Sequence, residues 1–495
     1  MSPLILTLDV GTSSLRTMLY DAQGSALPGR RPAEVQITHS ATVTPDGGVE
    51  LDPEALLANV VRAIDGILPR VPPGQTIAGV ATCTLWHSVL GVDANGAAIT
   101  PLYTWADTRA RAAAAELRTR LDQDAVHART GCFLHPSYLP ARLLWLSRAQ
   151  PEAWRRAARW VSFGEYLHQR LLGTTICSLS MASGTGLLDV HRCVWDREVL
   201  DAIGLDPQRL SPLGDTADTV AGLRPEWAAR WPALATVPWL PALGDGACSN
   251  VGSGCTSPRR IALMVGTSGA MRVVVETPDA PVVPGLWCYR VDRRRPLLGG
   301  ALSEGGNLVA WMRAALRLDA LPDLEAEIAT MAPDAHGLTV LPFLAGERSP
   351  GWAAQARGAI AGLSLATHPV EILRAGLEAI AYRFALIQRR LAAVAAPDAE
   401  VIASGGALLS SPAWMGMMAD VLGRRVVALG EHEASSRGAA LLALEALGLL
   451  PDIASVPTTL GATYEPDAAR QARYQEGIAR QTHLYNLLVK TSKTE

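Results

Sequence analysis

The chain has 495 residues, of which 49% are hydrophobic and 18% charged, with a formal net charge of −3 and an isoelectric point near 6.4. This composition indicates a globular protein, and the length predicts two or more domains. The slightly acidic balance argues against a nucleic-acid partner, and no run is long and apolar enough for a membrane span. Seven cysteines without a C-x-x-C pair predict neither disulfides nor structural zinc. Because the N-terminus has no secretory signal pattern, we expect a cytoplasmic protein.

The chain begins with an apolar strand, residues 4–8, that runs into a Gly-Thr-Ser turn and a second strand, residues 17–20. Five residues around this turn have the chemistry of an anion or metal site: Asp9, Gly11, Thr12, Ser13 and Arg16. A glycine lets the backbone approach an anion, and hydroxyl and guanidinium groups bind phosphoryl oxygens. A carboxylate at the strand end could hold a water of a Mg²⁺ ion. The alternative is that Asp9 and Thr12 only satisfy backbone groups of the turn.

A buried strand is predicted at residues 77–82, and polar and aromatic residues follow it: Trp86, His87, Trp105 and Asp107. Such residues suit a polyol, because the aromatic faces cover C–H groups and the polar atoms bind hydroxyls. Alternatively, His87 is a satisfied buried histidine and Asp107 is the N-cap of a helix predicted over 107–121.

Asp245 lies between Gly244 and Gly246, at the start of a helix of small residues that extends to about residue 254. In phosphoryl transfer, a carboxylate positions the attacking hydroxyl and accepts its proton. Asp245 suits that role, although it could equally be the N-cap of the following helix.

The Gly-Thr-Ser phrase recurs after the strand 261–265, where Gly266 and Thr267 repeat the first turn and Met264 replaces Asp9. The repeat predicts two related halves that clamp a nucleotide, with the metal held by the first half only. Gly405 and Gly406 follow a strand, residues 401–403, and would let a base or ribose lie on the backbone. In the segment 344–352, a structural role for the charged residues is favoured over a mobile loop at the cleft.

These motifs together resemble the FGGY family of carbohydrate kinases, in the hexokinase–actin ATPase superfamily. The two turns resemble the phosphate motifs of this family. Residues 244–246 resemble the segment that carries its catalytic base, and residues 404–406 resemble its adenosine motif. Residues 358–371 and 138–145 are similar to its two signatures, with Arg142 where lysine is usual. The resemblance implies an α/β protein with two actin-like (ribonuclease H-like) ATPase domains and an interdomain cleft. We place the sugar-binding domain at residues 1–254 and the nucleotide-binding domain at residues 255–495.

The same resemblance implies ATP and Mg²⁺ as cofactors and a sugar or sugar acid as the small-molecule partner; a homodimer is compatible with it. Trp86-His87-Ser88 is similar to the Met-His-Ser segment of gluconate kinases, so gluconate to 6-phosphogluconate is the reaction expected first. Xylulose kinases have Met-His-Gly there, which leaves a pentulose kinase for xylulose or ribulose as the alternative. A substrate carboxylate requires a cationic side chain nearby. Arg109, Arg142 and His87 are the candidates, and the sequence does not distinguish among them. A non-catalytic ATP-binding switch on the same fold is the alternative from another class.

Overall fold

A computed structural model describes residues 3–27, 33–277, 279, 282–318 and 323–490 of the chain. The strands are β1 (Pro3–Val10), β2 (Ser14–Tyr20), β3 (Glu34–Thr38), β4 (Thr42–Val43), β5 (Val49–Leu51), β6 (Thr76–Thr84), β7 (Leu90–Val92), β8 (Leu102–Tyr103), β9 (Arg159–Val161), β10 (Cys177–Ser178), β11 (Leu188–Asp189), β12 (Val194–Trp195), β13 (Leu213–Gly214), β14 (Leu243–Gly244), β15 (Arg260–Val265), β16 (Gly269–Val274), β17 (Trp287–Arg290), β18 (Pro296–Leu302), β19 (Thr339–Leu341), β20 (Ala359–Ala361), β21 (Glu400–Ser404), β22 (Val426–Leu429) and β23 (Leu460–Tyr464).

The helices are α1 (Pro53–Ile67), α2 (Arg111–Arg120), α3 (Gln123–Thr130), α4 (Leu139–Ala149), α5 (Pro151–Arg156), α6 (Phe163–Leu172), α7 (Leu179–Ser183), α8 (Arg197–Ile203), α9 (Pro225–Arg230), α10 (Asp245–Gly252), α11 (Gly306–Ala315), α12 (Leu324–Thr330), α13 (Pro369–Leu391), α14 (Gly406–Leu409), α15 (Pro412–Leu422), α16 (Ala434–Ala446) and α17 (Ala468–Tyr485). Within the described part of the chain, no helix combines the length and the apolar character needed to cross a membrane.

Two mixed sheets form the α/β framework, and their centres repeat one local pattern. The first sheet has the order β14-β6-β1-β2-β3, and the second has the order β17-β18-β16-β15-β21-β22-β23. In the first, β1 pairs antiparallel with β2 and parallel with β6; in the second, β15 pairs antiparallel with β16 and parallel with β21. Each Gly-Thr-Ser turn joins the two strands of one of these antiparallel hairpins, so the predicted structural repeat is confirmed.

Of two aspartates that could start a helix, Asp52 and Asp107, only Asp52 caps one. Asp52-Pro53-Glu54 is a typical helix start, and α1 begins there, with the side chain of Asp52 accepting hydrogen bonds from the backbone N–H groups of Glu54 and Ala55. The helix predicted from Asp107 instead begins at Arg111. Asp107 does not cap it, because its carboxylate is taken up by the guanidinium of Arg109.

Helix α16 comes from the C-terminal half of the sequence but packs on the first sheet. Its leucines share one buried apolar cluster with residues of β1 and β6, including Ile5 and Ala81. The helices of the second sheet, chiefly α13 and α15, form another cluster with β15 and β16. The site described below lies where elements of these two groups meet. The domain boundary at residue 254 stays a prediction.

Candidate active site

A cavity of about 340 Å³ lies between the end of β6 in the first sheet and the hairpin β15–β16 in the second. Both halves of the chain line it. Its walls are Trp86, His87, Trp105, Asp245, Gly246, Ser249, Met264, Ser268, Gly269, Ala270, Arg272, Trp287, Tyr289, Ala301, Arg348 and Ser435. The structure therefore brings together four of the predicted site residues: Trp86, His87, Trp105 and Asp245. It adds an aromatic strand and Arg272, which sequence reasoning missed, and Arg348, for which a structural role was favoured.

Asp245 is the first residue of α10, with Gly244 in the N-cap position. Its Oδ1 accepts a hydrogen bond from the backbone N–H of Gly246 at 2.8 Å. Burial raises the pKa of this carboxyl, while that N–H and the charge of Arg272 oppose the rise. The carboxylate faces the cavity and does not act as the N-cap that the sequence left open.

The indole of Trp86 explains the glycines on both sides of Asp245. A Cβ atom at Gly244 would lie 2.0 Å from the indole, and one at Gly246 would lie 2.6 Å from it. The indole Nε1–H donates to the carbonyl oxygen of Ser180 at 2.9 Å, which fixes the ring in this position. Trp86 thus packs directly on the segment that carries Asp245.

His87 lines the cavity as a neutral side chain. Burial, followed by the nearby charge of Arg348, lowers the pKa of His87 to about 3. Its Nδ1 is hydrogen-bonded to the carbonyl oxygen of Gly184, so Nδ1 carries the proton and Nε2 is an acceptor. His87 can accept a hydrogen bond from a hydroxyl but cannot supply the cation that the sequence analysis left open.

The two arginines considered for that cation lie outside the cavity lining. Arg142 is fully buried and donates to the carbonyl oxygens of His87 and Pro136, at 2.6 and 3.3 Å. Arg109 is paired with Asp107 and stacks over the ring of Trp145, 4.7 Å from its centroid. Asp107, predicted to bind substrate, is likewise held in this ion pair and is absent from the lining.

Arg272 and Arg348 are the arginines that line the cavity. Arg272, on β16, donates from Nη1 to the carbonyl oxygen of Gly246 at 2.9 Å, and burial lowers its pKa. The guanidinium of Arg348 lies 5.8 Å from the centre of the Trp105 ring. Among the described residues, neither arginine forms an ion pair, and the Nε atom of each is buried without a hydrogen-bond partner. The carboxylate of Asp245 in the same lining partly balances Arg272, so the cavity keeps one excess positive charge, which favours an anionic ligand.

None of the predicted phosphate residues at the two hairpin tips is fully buried. Ser13 and Thr267 are exposed, whereas Gly11, Thr12 and Gly266 are half-buried. Gly266 closes its turn by donating to the carbonyl oxygen of Ser268 at 3.0 Å. Neither tip contributes Gly11, Thr12, Ser13, Gly266 or Thr267 to the lining of the cavity, which reaches the second hairpin at Ser268 and Gly269.

Arg16 is engaged by two carboxylates. Its Nε lies 2.8 Å from Glu34, and its Nη1 pairs with Glu433, which stands just before α16. Contact with a phosphoryl oxygen would require Arg16 to give up one of these partners. Glu433 was not found from the sequence, because it is more than 400 residues away from the turn it joins.

Asp9 stands at the end of β1, close to two other acidic residues. Burial above all, with the charges of Asp245 and Glu433 adding to it, raises the pKa of Asp9 to about 7. Carboxylate oxygens are the protein ligands that Mg²⁺ prefers, and their mutual repulsion favours a cation among them. The donor set present therefore fits a magnesium ion.

Gly405 follows β21 and is the N-cap of α14, and Gly406 is the first residue of that helix. Gly405 has φ = 91°, and a Cβ atom on it would lie 2.4 Å from the carbonyl oxygen of Val265. Gly406 has nothing within 4 Å of an added Cβ. The next residue, Ala407, lines a second cavity of about 720 Å³ with Gly306 and Trp414 among its walls.

Comparisons with known proteins agree with this architecture. The N-terminal domain model of the FGGY family of carbohydrate kinases matches residues 4–252, and its C-terminal domain model matches residues 261–447. A gluconokinase of Bacillus subtilis (strain 168) is 28% identical over 96% of this chain and 94% of that protein.

Two solved structures are similar along the whole chain. A gluconate kinase from Lactobacillus acidophilus has a TM-score of 0.90 at 28% identity, covering 99% of both chains. A xylulose kinase from the same organism has a TM-score of 0.90 at 27% identity, covering 98% of both chains. The fold is the two-domain, actin-like fold of these kinases, and the chain belongs to the FGGY family of carbohydrate kinases.

Proposed function

We propose that this protein transfers the γ-phosphoryl group of ATP to a hydroxyl group of a sugar acid, most simply gluconate to give 6-phosphogluconate. The observation that carries the proposal is a single cavity that holds the carboxylate of Asp245 together with the guanidinium groups of Arg272 and Arg348. Family membership supports the kinase reaction, and the positive charge of the cavity supports an acidic acceptor over a neutral one.

Asp245 would act as the general base. As the acceptor's primary hydroxyl oxygen attacks the γ-phosphorus, the proton of that hydroxyl passes to Asp245, a new P–O bond forms and the bond to the ADP oxygen breaks. The hydrogen bond from Gly246 fixes the carboxylate for this transfer. Arg272 is bonded to the same glycine and is therefore suited to stabilise charge on the phosphoryl group.

The two hairpin tips would hold the phosphate chain of ATP through five residues: Gly11, Thr12, Ser13, Gly266 and Thr267. The N–H groups of Gly11 and Gly266 donate within their own turns, so the phosphates would be bound by the hydroxyls of Thr12, Ser13 and Thr267 and by the other backbone N–H groups of the tips. The 720 Å³ cavity beside Gly406 has room for the base and ribose. Arg16 would contribute indirectly, by holding Glu433 next to Asp9.

Asp9, with Glu433 nearby, would hold the hydrated Mg²⁺ that accompanies ATP. Bound there, the ion would neutralise negative charge on the phosphates. Of the two hairpins, only the first would bring a carboxylate to the metal, since the residue of the second hairpin that matches Asp9 is Met264.

The acceptor's carbon chain would lie on Trp86 and Trp105, with His87 Nε2 accepting a hydrogen bond from one of its hydroxyls. A polyol presents both the C–H faces and the hydroxyl donors that this wall requires. Its carboxylate would meet the unpaired charge of Arg348.

A pentulose kinase is the second candidate, because the xylulose kinase structure matches the fold as well as the gluconate kinase structure does. An ADP-release assay over gluconate, xylulose, ribulose, glycerol and rhamnulose separates the two. We expect the highest kcat/KM with gluconate. A higher value with xylulose or ribulose would replace the proposal with the second candidate, and sugar binding without ADP release would indicate a non-catalytic protein.

A further inference from the structure

The segment 344–352, named here the arm, is fixed to the second half of the molecule. The carboxylate of Glu347 is buried and pairs with Arg383 of α13, and it also accepts the hydroxyl of Tyr485. Ser349 donates its backbone N–H to the carbonyl oxygen of Ala301 at 2.9 Å, and its Oγ accepts the N–H of Ala301 at 3.1 Å. The base of the arm is therefore held by α13, α17 and β18.

Two side chains of the arm point at residues from the first half of the chain. The indole of Trp352 stacks on Phe133, with 4.5 Å between ring centres and 25° between planes, and it meets His135 edge-on at 5.4 Å. Arg348 lies over Trp105 at 5.8 Å. The arm thus carries a cation from the second half of the molecule onto the wall proposed to bind the acceptor.

Arg348 has no carboxylate partner in the described part of the chain, although Asp245 shares its cavity and Glu304 and Glu347 line a small neighbouring cavity with it. Of these, Glu347 is already paired with Arg383.

The Nε of Arg348 is buried without a partner, and the neighbouring His87 and His135 are neutral. Arg272 differs, because its Nη1 is bonded to Gly246 beside Asp245, at the end of the cavity where the phosphoryl group would be transferred. Arg348 is therefore placed to contact the end of an acceptor that lies away from the reacting hydroxyl.

We propose that Arg348 binds the carboxylate of the acceptor, whose carbon chain lies on Trp86, His87 and Trp105, so that an acidic acceptor joins the two halves of the molecule. This inference rests on the proposed function. A neutral polyol of the same length would contact only Trp86, His87 and Trp105 of the first half. It would lack the binding energy of the arginine–carboxylate pair, which would otherwise bring the two halves together and stabilise the transition state. Arg348 would then be the residue that selects sugar acids.

The test compares Arg348→Met, which removes the charge at similar length, with Arg348→Lys, which keeps a charge but loses the two-pronged geometry. Arg357→Met is the matched control, because Arg357 follows the arm, is exposed, and donates hydrogen bonds to the backbone carbonyl oxygens of Gln355 and Ala356. Gluconate and sorbitol, which has CH₂OH in place of the carboxylate, are the two probes.

We expect Arg348→Met to lower kcat/KM for gluconate about 100-fold, the effect of losing a charge-assisted bidentate contact. Arg348→Lys should recover part of this loss and Arg357→Met should match the wild type. Any activity on sorbitol should change little. Gluconate with ADP should raise the Tm of the wild type more than sorbitol does, and this difference should disappear in Arg348→Met.

Unchanged kcat/KM for gluconate in Arg348→Met, or an equal loss on both probes, would overturn the role of Arg348 and leave the proposed function standing. If the wild type binds gluconate through Arg348 in the Tm assay but phosphorylates no sugar acid, the proposed function fails and the binding role stands. If no sugar acid shifts the Tm of the wild type, Arg348 is not a carboxylate site.

Discussion

Gly252 of α10 and Gly438 of α16 meet backbone against backbone where the two helices cross. A Cβ atom on Gly438 would lie 1.8 Å from the carbonyl oxygen of Cys248, and one on Gly252 would lie 1.8 Å from that of Ala434. α10 carries Asp245 at its first residue, and α16 follows Glu433. The close crossing therefore sets the distance between the proposed base and the acidic group near the proposed metal site.

Gly438→Ala should force these helices apart, because backbone atoms cannot move aside as a flexible side chain can. We expect a loss of about 3 kcal/mol in the free energy of unfolding, of the order found for overpacked cores, together with reduced turnover. Gly416→Ala in α15 is the control, since a Cβ there meets only one atom, at 4.0 Å. That change should stabilise the protein by about 0.5–1 kcal/mol through helix propensity. Urea unfolding measures both, and equal stability of the two variants would show that the crossing tolerates a methyl group.

Asp245→Asn should remove the proton acceptor while keeping the size of the side chain. We expect kcat to fall about 1000-fold, within the range for loss of a general base, with ADP affinity unchanged. Turnover is followed by ADP release and affinity by calorimetry. Near-normal turnover would reassign the base, and a loss of ADP affinity of the same size would point to a binding role.

Mg²⁺ binding should depend on pH through Asp9. The pKa of Asp9 is raised to about 7 without metal, so the carboxyl is mostly protonated below pH 7 and a proton competes with the cation. With this sign, metal affinity falls as pH falls, and the apparent Kd of Mg²⁺ for the enzyme–ADP complex should be about tenfold higher at pH 6 than at pH 8.

Calorimetric titration with Mg²⁺ at the two pH values measures this, and Asp9→Asn is the control because it retains any contribution from the nucleotide's own protonation. The difference between wild type and variant isolates Asp9. An identical pH dependence in the two proteins would exclude Asp9 from the metal site.

The sequence predicts best those features that depend on neighbouring residues. The strand–turn–strand repeat and the cap at Asp52 are local, and both are present. Asp245 was identified as a candidate because a carboxylate between two glycines is a local pattern too. The indole of Trp86 gives that pattern its physical reason, since no side chain fits at either glycine.

The remainder of the cavity comes from distant parts of the chain. Tyr289 meets Tyr138 of α4's N-terminus through hydroxyls 2.6 Å apart, across 151 residues of sequence. Arg272 carried a weak signal, as a charge within an apolar strand. For the charged residues of the arm, the sequence favoured a structural role. Glu347 has that role, because it pairs with Arg383, whereas Arg348 faces the cavity. Adjacent residues in a turn point to different partners, and only the tertiary contacts distinguish them.

A buried cluster of Asp334, His336 and Glu378 has the residue types of a metal site, but its contacts predict a structural role. Glu378 accepts hydrogen bonds from Arg374 at 2.8 Å, Tyr382 at 3.0 Å and His336 at 3.1 Å, and from the backbone N–H of Asp334 at 3.3 Å. These bonds occupy both carboxylate oxygens, so a metal would have to displace them. A chelator should therefore leave the Tm unchanged.

Glu378→Gln should lower the free energy of unfolding by about 3 kcal/mol, because it leaves the buried guanidinium of Arg374 without a compensating charge. Glu476→Gln is the control: its ion pair with Arg473 is solvent-exposed on both sides, and its loss should cost less than about 0.5 kcal/mol. Urea unfolding with and without chelator measures both effects. A chelator-dependent loss of stability in the wild type that is absent in Glu378→Gln would instead identify the cluster as a metal site.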